Sequence, residues 1–209
     1  MRPRVTVNAA MSLDGRLALT TGEQTRLSSD EDMERVHALR REVDAILVGV
    51  NTVISDDPRL APHPDVLRVV LDTWGRTPPD SLVMSTPPRT LLAMGPDVAI
   101  DAPEGVIARH YPLDRRGVVD LEPLLGDIAD MGVRHLLVEG GGHVIWSFLR
   151  RGLFDTLIVF VADVVIGGDA TSLAMGEGAG TLGEMIRLEF RSCERMDGGI
   201  LLTYGLGKV

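Results

Sequence analysis

Short apolar runs bounded by turn residues recur along the chain, and each run predicts a β-strand. The predicted strands are 5–11, 45–49, 67–72, 82–84, 90–94, 106–110, 135–139, 155–162, 187–195 and 199–205. The pair at 82–84 and 90–94 lies inside the proline-rich stretch 75–105. The last two strands predict an antiparallel hairpin that turns at Asp197-Gly198-Gly199.

Apolar residues at helical spacing predict three helices between these strands. The first covers 29–42, where Ser28 as N-cap and Glu31 form a capping box. The second covers 121–131 and ends at Gly132, and the third contains 144–149. This alternation predicts an α/β fold: a central, mostly parallel sheet with an antiparallel C-terminal hairpin, flanked by helices, in one domain over 1–209.

Composition excludes some classes of protein. The 209 residues are 44% apolar and 24% charged, an ordinary balance for a chain that buries a core. No apolar run is long enough to cross a membrane and no signal-peptide pattern is present, so we expect a cytoplasmic protein. The net charge of −9 disfavours nucleic acid and anionic membrane as partners. Cys193 is the only cysteine, which excludes a multi-cysteine zinc site, and no metal is predicted.

A glycine-rich turn follows the strand at 135–139. Gly140, Gly141 and Gly142 precede a helix, and glycines let the backbone and the first helical N–H groups approach a phosphate. The spacing differs from the G-x-G-x-x-G fingerprint, so this segment alone favours a tight structural turn over a dinucleotide site. Glu139 stands where α/β sheets place their ligands. Its carboxylate suits a polar ring edge or proton transfer, and a helix-capping role is equally consistent with the sequence.

A second strand end carries polar residues and a pair of acids. Asn51 and Thr52 follow the strand at 45–49 and offer hydrogen-bond donors to a nucleotide. Asp56 and Asp57 come next, before a proline that fixes the turn. Adjacent acids are typical of a solvated turn, but these two follow a strand end in a segment with little other charge. A functional site at this position is therefore also consistent with the sequence.

Three weaker features complete the set of candidates. Ser12 and Asp14 follow the first strand, in a Ser-Leu-Asp-Gly sequence that is also typical of a simple β-turn. Arg40 lies late in the first predicted helix, and its forked guanidinium suits a phosphate. An isolated arginine at a helix end is more typically a solvated cation. His63 follows the acid pair closely.

Taken together, and in this order, these segments resemble the riboflavin-biosynthesis pyrimidine reductase family, whose fold is similar to that of dihydrofolate reductase. The family occurs as a free-standing enzyme and as the C-terminal half of a bifunctional deaminase–reductase. The matching stretches are Ala10-Met-Ser-Leu-Asp-Gly-Arg-Leu-Ala18, Arg26-Leu-Ser-Ser29, His37-Ala-Leu-Arg40, Asp44-Ala-Ile-Leu-Val-Gly-Val-Asn-Thr-Val53, Asp56-Asp-Pro-Arg-Leu60, Leu136-Leu-Val-Glu-Gly-Gly-Gly142 and Val165-Ile-Gly-Gly168.

The resemblance implies a homodimeric reductase that uses NADPH, with NADH as the alternative donor, to open a phosphoribosylamino-pyrimidine to its ribitylamino form. The implied cofactor contacts are Ala10, Arg26, Asn51, Thr52, Asp56, Thr73, Gly140, Gly141, Gly142, His143, Val144, Gly167 and Gly168. The implied substrate contacts are Ser12, Asp14, Arg40, Leu60, His63 and Glu139, with Arg40 facing the ribose phosphate. Asp57 and Glu139 are the candidates for proton transfer.

The chain departs from the family pattern at two positions. Gln24 replaces the serine that many relatives have, and His63 replaces an arginine. A histidine still bonds a phosphate but is mostly neutral at pH 7. The zinc-deaminase pattern of the bifunctional relatives, H-x-E with P-C-x-x-C, is absent, so we expect reduction without deamination.

Three other functions remain open at this point. The first is the same reduction of the deaminated 5-amino-uracil, a substrate that differs from the diamino-pyrimidinone by one exocyclic group. Another dihydrofolate reductase-like enzyme is disfavoured because a pterin pocket calls for flat aromatic walls and the chain has two Trp, two Tyr and four Phe. A non-catalytic nucleotide-binding module is disfavoured by the intact Asp-Asp-Pro and Glu-Gly-Gly-Gly segments.

Overall fold

A computed structural model describes residues 1–21 and 26–207 of the chain. The described strands are β1 (Arg4–Ser12), β2 (Ala45–Gly49), β3 (Leu67–Leu71), β4 (Thr90–Met94), β5 (Val106–His110), β6 (His135–Val138), β7 (Thr156–Ala162), β8 (Leu188–Met196) and β9 (Gly199–Leu206). The described α-helices are α1 (Asp30–Arg41), α2 (Val50–Asp56), α3 (Leu82–Ser85), α4 (Leu121–Asp130) and α5 (Gly142–Arg150). A 3-10 turn covers Leu182–Glu184. The predicted α/β class, with mostly parallel strands and an antiparallel C-terminal hairpin, is confirmed.

The chain forms two compact units. The first unit comprises Met1–Arg4 and Arg40–Leu137, and the second comprises Val5–Leu39 and Val138–Val209. The single domain expected from the sequence stays a prediction. No helix in the described part of the chain is long and apolar enough to cross a membrane.

The first unit is built on a parallel sheet with the strand order β5-β4-β3-β2-β6. The pairings β2–β3, β3–β4 and β4–β5 are all parallel. Every residue of β2 and β4 is buried, as expected of strands that are covered on both faces. Helix α4 adds Leu121, Leu124 and Ile128 to this core and ends before Gly132, whose φ of 95° confirms the predicted C-terminal stop.

The second unit has the strand order β1-β7-β9-β8. Strand β1 pairs with β7 in parallel, and the β7–β9 and β8–β9 pairings are antiparallel. Its core includes Phe160, Ala162 and Leu201, while most of β8 is exposed. The predicted hairpin is therefore present, with β8 as its outer strand.

The predicted cap of the first helix was wrong by one residue. Helix α1 begins at Asp30, and the Oγ of Ser29, not Ser28, accepts the backbone N–H of Asp32 at 3.2 Å. Glu31 does not complete a capping box; its carboxylate accepts the N–H of Asp197 at 2.7 Å. The Glu31 side chain, which the local spacing assigns to the cap, therefore bonds instead to Asp197, a residue distant in sequence.

The predicted strand at 82–84 was also wrong, because these residues form helix α3. The buried guanidinium of Arg68 on β3 donates to the carbonyls of Leu82 and Val83 at 3.1 and 3.0 Å. It also donates to the carbonyls of Arg59, Thr86 and Pro88. An apolar run this short does not distinguish a strand from a helix by its sequence alone. Here the hydrogen bonds from Arg68 stabilise the helical conformation.

Candidate active site

In the first unit, candidate residues meet where two neighbouring strands end. Gly49 pairs with Leu71 in the parallel register of β2 and β3, so both strands end at the same edge. Asn51 and Thr52 lie in the first turn of α2, which directly follows β2, and Thr73 lies two residues after the end of β3. Open α/β sheets bind ligands at this edge. Helix α2 was not predicted from the sequence.

A buried carboxylate shapes the turn that contains Thr73. Asp72 accepts the backbone N–H groups of Arg76 and Thr77 at 2.9 and 2.7 Å and the Thr77 hydroxyl at 2.7 Å. The Thr73 hydroxyl oxygen accepts the N–H of Val119 at 3.2 Å. The turn is therefore fixed from within, and Thr73 is largely buried.

Two residues of this turn were missed by the sequence reasoning. Arg76 donates through Nη2 to the Oδ1 of Asn51 at 2.9 Å, and its guanidinium carbon lies 5.7 Å from the centroid of the Trp74 ring. Trp74 is 61% exposed. The available signal was the same one that selected Asn51 and Thr52, namely polar and aromatic residues directly after a buried strand.

The acid pair lies at the end of α2. Asp57 caps the helix in the left-handed conformation, with a φ of 40°, and its Oδ1 accepts the backbone N–H of Leu82 at 2.7 Å. Leu60, with a φ of 47°, is buried, whereas Asp56 is exposed. Asp57 is therefore held in one orientation, with its second oxygen available. Its role in catalysis stays a prediction.

His63 is the weakest of the predicted phosphate ligands. Its Nε2 lies 3.0 Å from the carbonyl oxygen of Val43, a contact that requires the ring proton on Nε2. Only Nδ1 is then left for a ligand. Arg40 is half-buried near the end of α1. Phosphate binding by either residue stays a prediction.

In the second unit, Ser12 and Asp14 hold a glycine-containing loop. Ser12 is buried and donates to the Oδ1 of Asp14 at 2.6 Å. The Asp14 carboxylate accepts the N–H groups of Ile166 and Gly167 at 3.0 and 2.7 Å. The Ser12 hydroxyl and these backbone donors lower the pKa of Asp14 to about 2. Both side chains thus have partners within the protein, and substrate contact by them stays a prediction.

The three glycines around the start of α5 have different surroundings. A Cβ on Gly140 would lie 2.5 Å from the Cβ of Val144, and one on Gly142 would lie 2.3 Å from the carbonyl oxygen of Ser172. A Cβ on Gly141 would meet nothing within 4 Å. The outer glycines are therefore required by packing, and the backbone of Gly141 is the open part of this turn.

Other predicted residues lie around the same turn or on neighbouring elements. The Nδ1 of His143 lies 3.1 Å from the carbonyl oxygen of Met175, and Gly167 and Gly168 both adopt positive φ. Glu139 and Ala10 are half-buried. Contact of these residues with cofactor or substrate stays a prediction.

Arg26 pairs with Asp30 of the first turn of α1, and Gln24 lies outside the described residues. The Arg26 guanidinium also donates through Nε to the carbonyl of Ser28 at 3.2 Å. Across 1–21 and 26–207, no three His, Cys, Asp or Glu side chains are grouped so as to hold a metal ion. Cofactor contact by Arg26 stays a prediction.

Comparison with known proteins gives consistent matches. Residues 3–202 match the RibD C-terminal domain family. The chain is 39% identical to the 2,5-diamino-6-ribosylamino-4(3H)-pyrimidinone 5′-phosphate reductase of Methanothermobacter thermautotrophicus over 98% of both chains. It is 36% identical to the reductase of the same name from Archaeoglobus fulgidus, over 85% of this chain and 88% of the relative. The fold is similar to that of Acinetobacter baumannii RibD, with a TM-score of 0.83 and 23% identity over 99% of this chain and 59% of that one.

Proposed function

The chain belongs to the RibD C-terminal domain family, and we propose that it is the reductase of riboflavin biosynthesis that acts on 2,5-diamino-6-ribosylamino-4(3H)-pyrimidinone 5′-phosphate. The observation that carries this proposal is the 39% identity to a reductase of that name over 98% of both chains. This match is one of sequence over nearly the whole chain, so its range covers the segments around Asp57, Glu139 and Gly141. The diamino-pyrimidinone is favoured over the deaminated uracil because both archaeal relatives are named for it.

The proposed reductant is NADPH, and each unit, taken by itself, carries groups that suit a nucleotide. In the second unit the backbone of Gly141 is open at the start of α5, where N–H groups favour an anion. In the first unit Asn51, Thr73 and Arg76 offer hydrogen-bonding groups beside one strand edge. When bound, the reduced nicotinamide supplies the hydride for the reaction.

The protein's own part in the reaction is to bind and orient the substrate and to transfer a proton. Opening the ribosylamino ring and reducing it adds a hydride to the former C1′ and a proton to the product. Asp57 is proposed to bind the pyrimidine or to handle this proton through its second carboxylate oxygen, since Oδ1 is held by Leu82. Glu139 is the alternative. Arg40 is proposed to bind the ribose 5′-phosphate, which a forked guanidinium suits.

Two further proposals concern assembly, which rests on the family resemblance alone, and location. We propose that the protein is a homodimer and that it acts in the cytoplasm. Light scattering of the purified chain tests the first, and fractionation of the source cells tests the second. A monomer at working concentration would contradict the first proposal without affecting the reductase activity.

The function is tested by mixing the pure protein with NADPH and each of the two phosphoribosylamino-pyrimidines in turn. Loss of absorbance at the reduced-nicotinamide band is then followed. We expect oxidation of NADPH with the diamino-pyrimidinone. Oxidation with the amino-uracil alone would keep the family but reverse the order of reduction and deamination. Binding of NADPH without oxidation by either pyrimidine, or by dihydrofolate, would contradict the proposal and favour a nucleotide-binding module.

A further inference from the structure

Trp74 and Arg76 form an exposed aromatic and cationic pair in the turn after β3. We propose that this pair recognises the adenosine 2′-phosphate end of the cofactor, with Trp74 stacking on the adenine and Arg76 binding the 2′-phosphate. The pair would then set the preference for NADPH over NADH. This inference rests on the proposed function, because it assigns a part of the same nucleotide site.

The turn that carries the pair is built to hold it. Asp72 is fully buried and accepts three hydrogen bonds from Arg76 and Thr77, which fixes the backbone on the far side of Trp74. Gly75 has a φ of 68°, and a Cβ there would lie 2.6 Å from Cγ1 of Val98. Any other residue at position 75 would be strained, so the short link between the two side chains is structurally required. A site that is fixed in this way loses little entropy when a ligand binds.

The guanidinium of Arg76 is available for an anion. Its Nη2 donates to Asn51, a neutral acceptor, at 2.9 Å, and its backbone N–H donates to Asp72. Among the described residues, none of the ion pairs joins Arg76 to a carboxylate. An arginine with its charge uncompensated and its fork exposed suits a phosphate dianion, which it binds through two oxygens. In Rossmann folds, which are also open α/β sheets, an arginine near the nucleotide accommodates the 2′-phosphate of NADP.

Trp74 is unusual in its exposure. Tryptophan is highly buried on average, yet 61% of Trp74 is accessible, in a chain that has only two tryptophans. The ring lies beside the Arg76 guanidinium, at 5.7 Å from its centroid. A nucleobase gains stacking energy on such a ring whatever its hydrogen-bonding edge. The two side chains therefore offer, side by side, a surface for a base and a donor for a phosphate.

Binding of two fragments tests the assignment without any reduction taking place. Calorimetry would measure the affinity of the chain for adenosine 2′,5′-bisphosphate and for adenosine 5′-monophosphate, which lacks the 2′-phosphate. We expect Arg76→Gln to weaken the bisphosphate by roughly tenfold to a hundredfold and to leave the monophosphate unchanged. Arg76→Lys keeps the charge but not the forked guanidinium, so its affinity for the bisphosphate should lie between those of the wild type and Arg76→Gln. Arg89→Gln is the matched control, since Arg89 is exposed at the opposite end of the parallel strands, just before β4.

Trp74 has its own readout. Trp74→Leu should weaken the binding of both fragments by a similar factor. It should also abolish most of the change in tryptophan emission on binding, because Trp146, the other tryptophan of the chain, is buried. Equal loss of both fragments in Arg76→Gln, or no loss of either, would overturn the assignment of Arg76. Unchanged binding and emission change in Trp74→Leu would overturn that of Trp74. Failure of the wild type to oxidise NADPH with either pyrimidine would contradict only the proposed function, because the fragment measurements involve no turnover.

Discussion

The Asp57 carboxylate accepts the backbone N–H of Leu82 at 2.7 Å and so ties the end of α2 to the start of α3. An asparagine at position 57 retains an oxygen for this contact but loses the charge. We therefore expect Asp57→Asn to keep the thermal stability of the wild type and to lower kcat by about 10²- to 10⁴-fold, the range for loss of a general acid or base. Steady-state kinetics and a melting curve check both parts.

The matched variant Asp57→Ala separates structure from chemistry. It removes the acceptor of the Leu82 N–H as well as the charge, and should cost an additional ~1 kcal/mol of unfolding free energy. Full turnover in Asp57→Asn would remove Asp57 from the catalytic residues and leave Glu139 as the remaining candidate for proton transfer.

Gly141 allows a test of close backbone approach by the cofactor. Its φ of −69° and ψ of 177° are open to alanine, and a Cβ there would meet nothing within 4 Å. Gly141→Ala should therefore leave stability unchanged and weaken NADPH binding by about tenfold or more, because the methyl group would occupy the ligand's space. Titration calorimetry measures the affinity.

Gly126 provides the control for this substitution. It lies within α4, where a Cβ also meets nothing within 4 Å. Gly126→Ala should stabilise the chain by about 0.5–1 kcal/mol through helix propensity and leave NADPH affinity unaltered. Unchanged NADPH affinity in Gly141→Ala would place the cofactor away from this turn.

The hydrogen bonds between the Asp14 carboxylate and the 166–167 backbone predict that the stability of the fold depends on pH in the acidic range. Hydrogen bonds from Ser12 and from two backbone N–H groups lower the pKa of Asp14 from 3.8 to about 2 in the folded chain. The folded state therefore stabilises the ionised carboxylate of Asp14 relative to the unfolded chain. This contribution is complete above the unfolded pKa of 3.8 and is lost as the pH falls through about 2.

Urea unfolding between pH 5 and 2 measures this contribution. Asp14→Asn cannot ionise, so its midpoint should fall less steeply with acid than that of the wild type in this window. Asp101→Asn, at an exposed residue of the first unit, should retain the wild-type slope. Parallel profiles for the wild type and Asp14→Asn would show that the Asp14 contacts do not stabilise the loop.

Arg68 is predicted to be the most sensitive arginine of the first unit. Its guanidinium is buried and donates to carbonyls of the 82–88 segment, and burial lowers its pKa to about 10, which leaves it charged at pH 7. Arg68→Met would leave several buried carbonyls without a donor and should cost about 3–5 kcal/mol. Arg89→Gln, at an exposed arginine, should change stability by less than about 0.5 kcal/mol. A loss below ~1 kcal/mol in Arg68→Met would contradict this account of the segment.

The sequence predicts best where a pattern is long and locally consistent. β1, α4 and the final hairpin have strong periodicity or clear end signals, and each is confirmed. Helix α2 was missed because Val50, Thr52 and Val53 are β-branched and the following acids and proline are typical of a turn. Here the tertiary environment overrides local propensity.

The candidate site shows the same division. Asn51, Asp57 and Gly141 were selected as candidates because they follow strand ends or lie in glycine-rich turns. Trp74 and Arg76 gave no motif, and their proximity depends on the buried Asp72 and on the register between β2 and β3. Such a pairing requires coordinates, because a single sequence does not give the distance between side chains on neighbouring turns.

The central claim is that this chain reduces the ribosyl carbon of the diamino-pyrimidinone with a hydride from NADPH. The most direct measurement uses NADPH carrying deuterium at both C4 positions, the diamino substrate and the pure protein, with the product analysed by mass spectrometry and NMR. The account predicts a ribitylamino product with one deuterium, located at the former C1′. A product without deuterium, deuterium at another carbon, or no product while NADPH binds would contradict it.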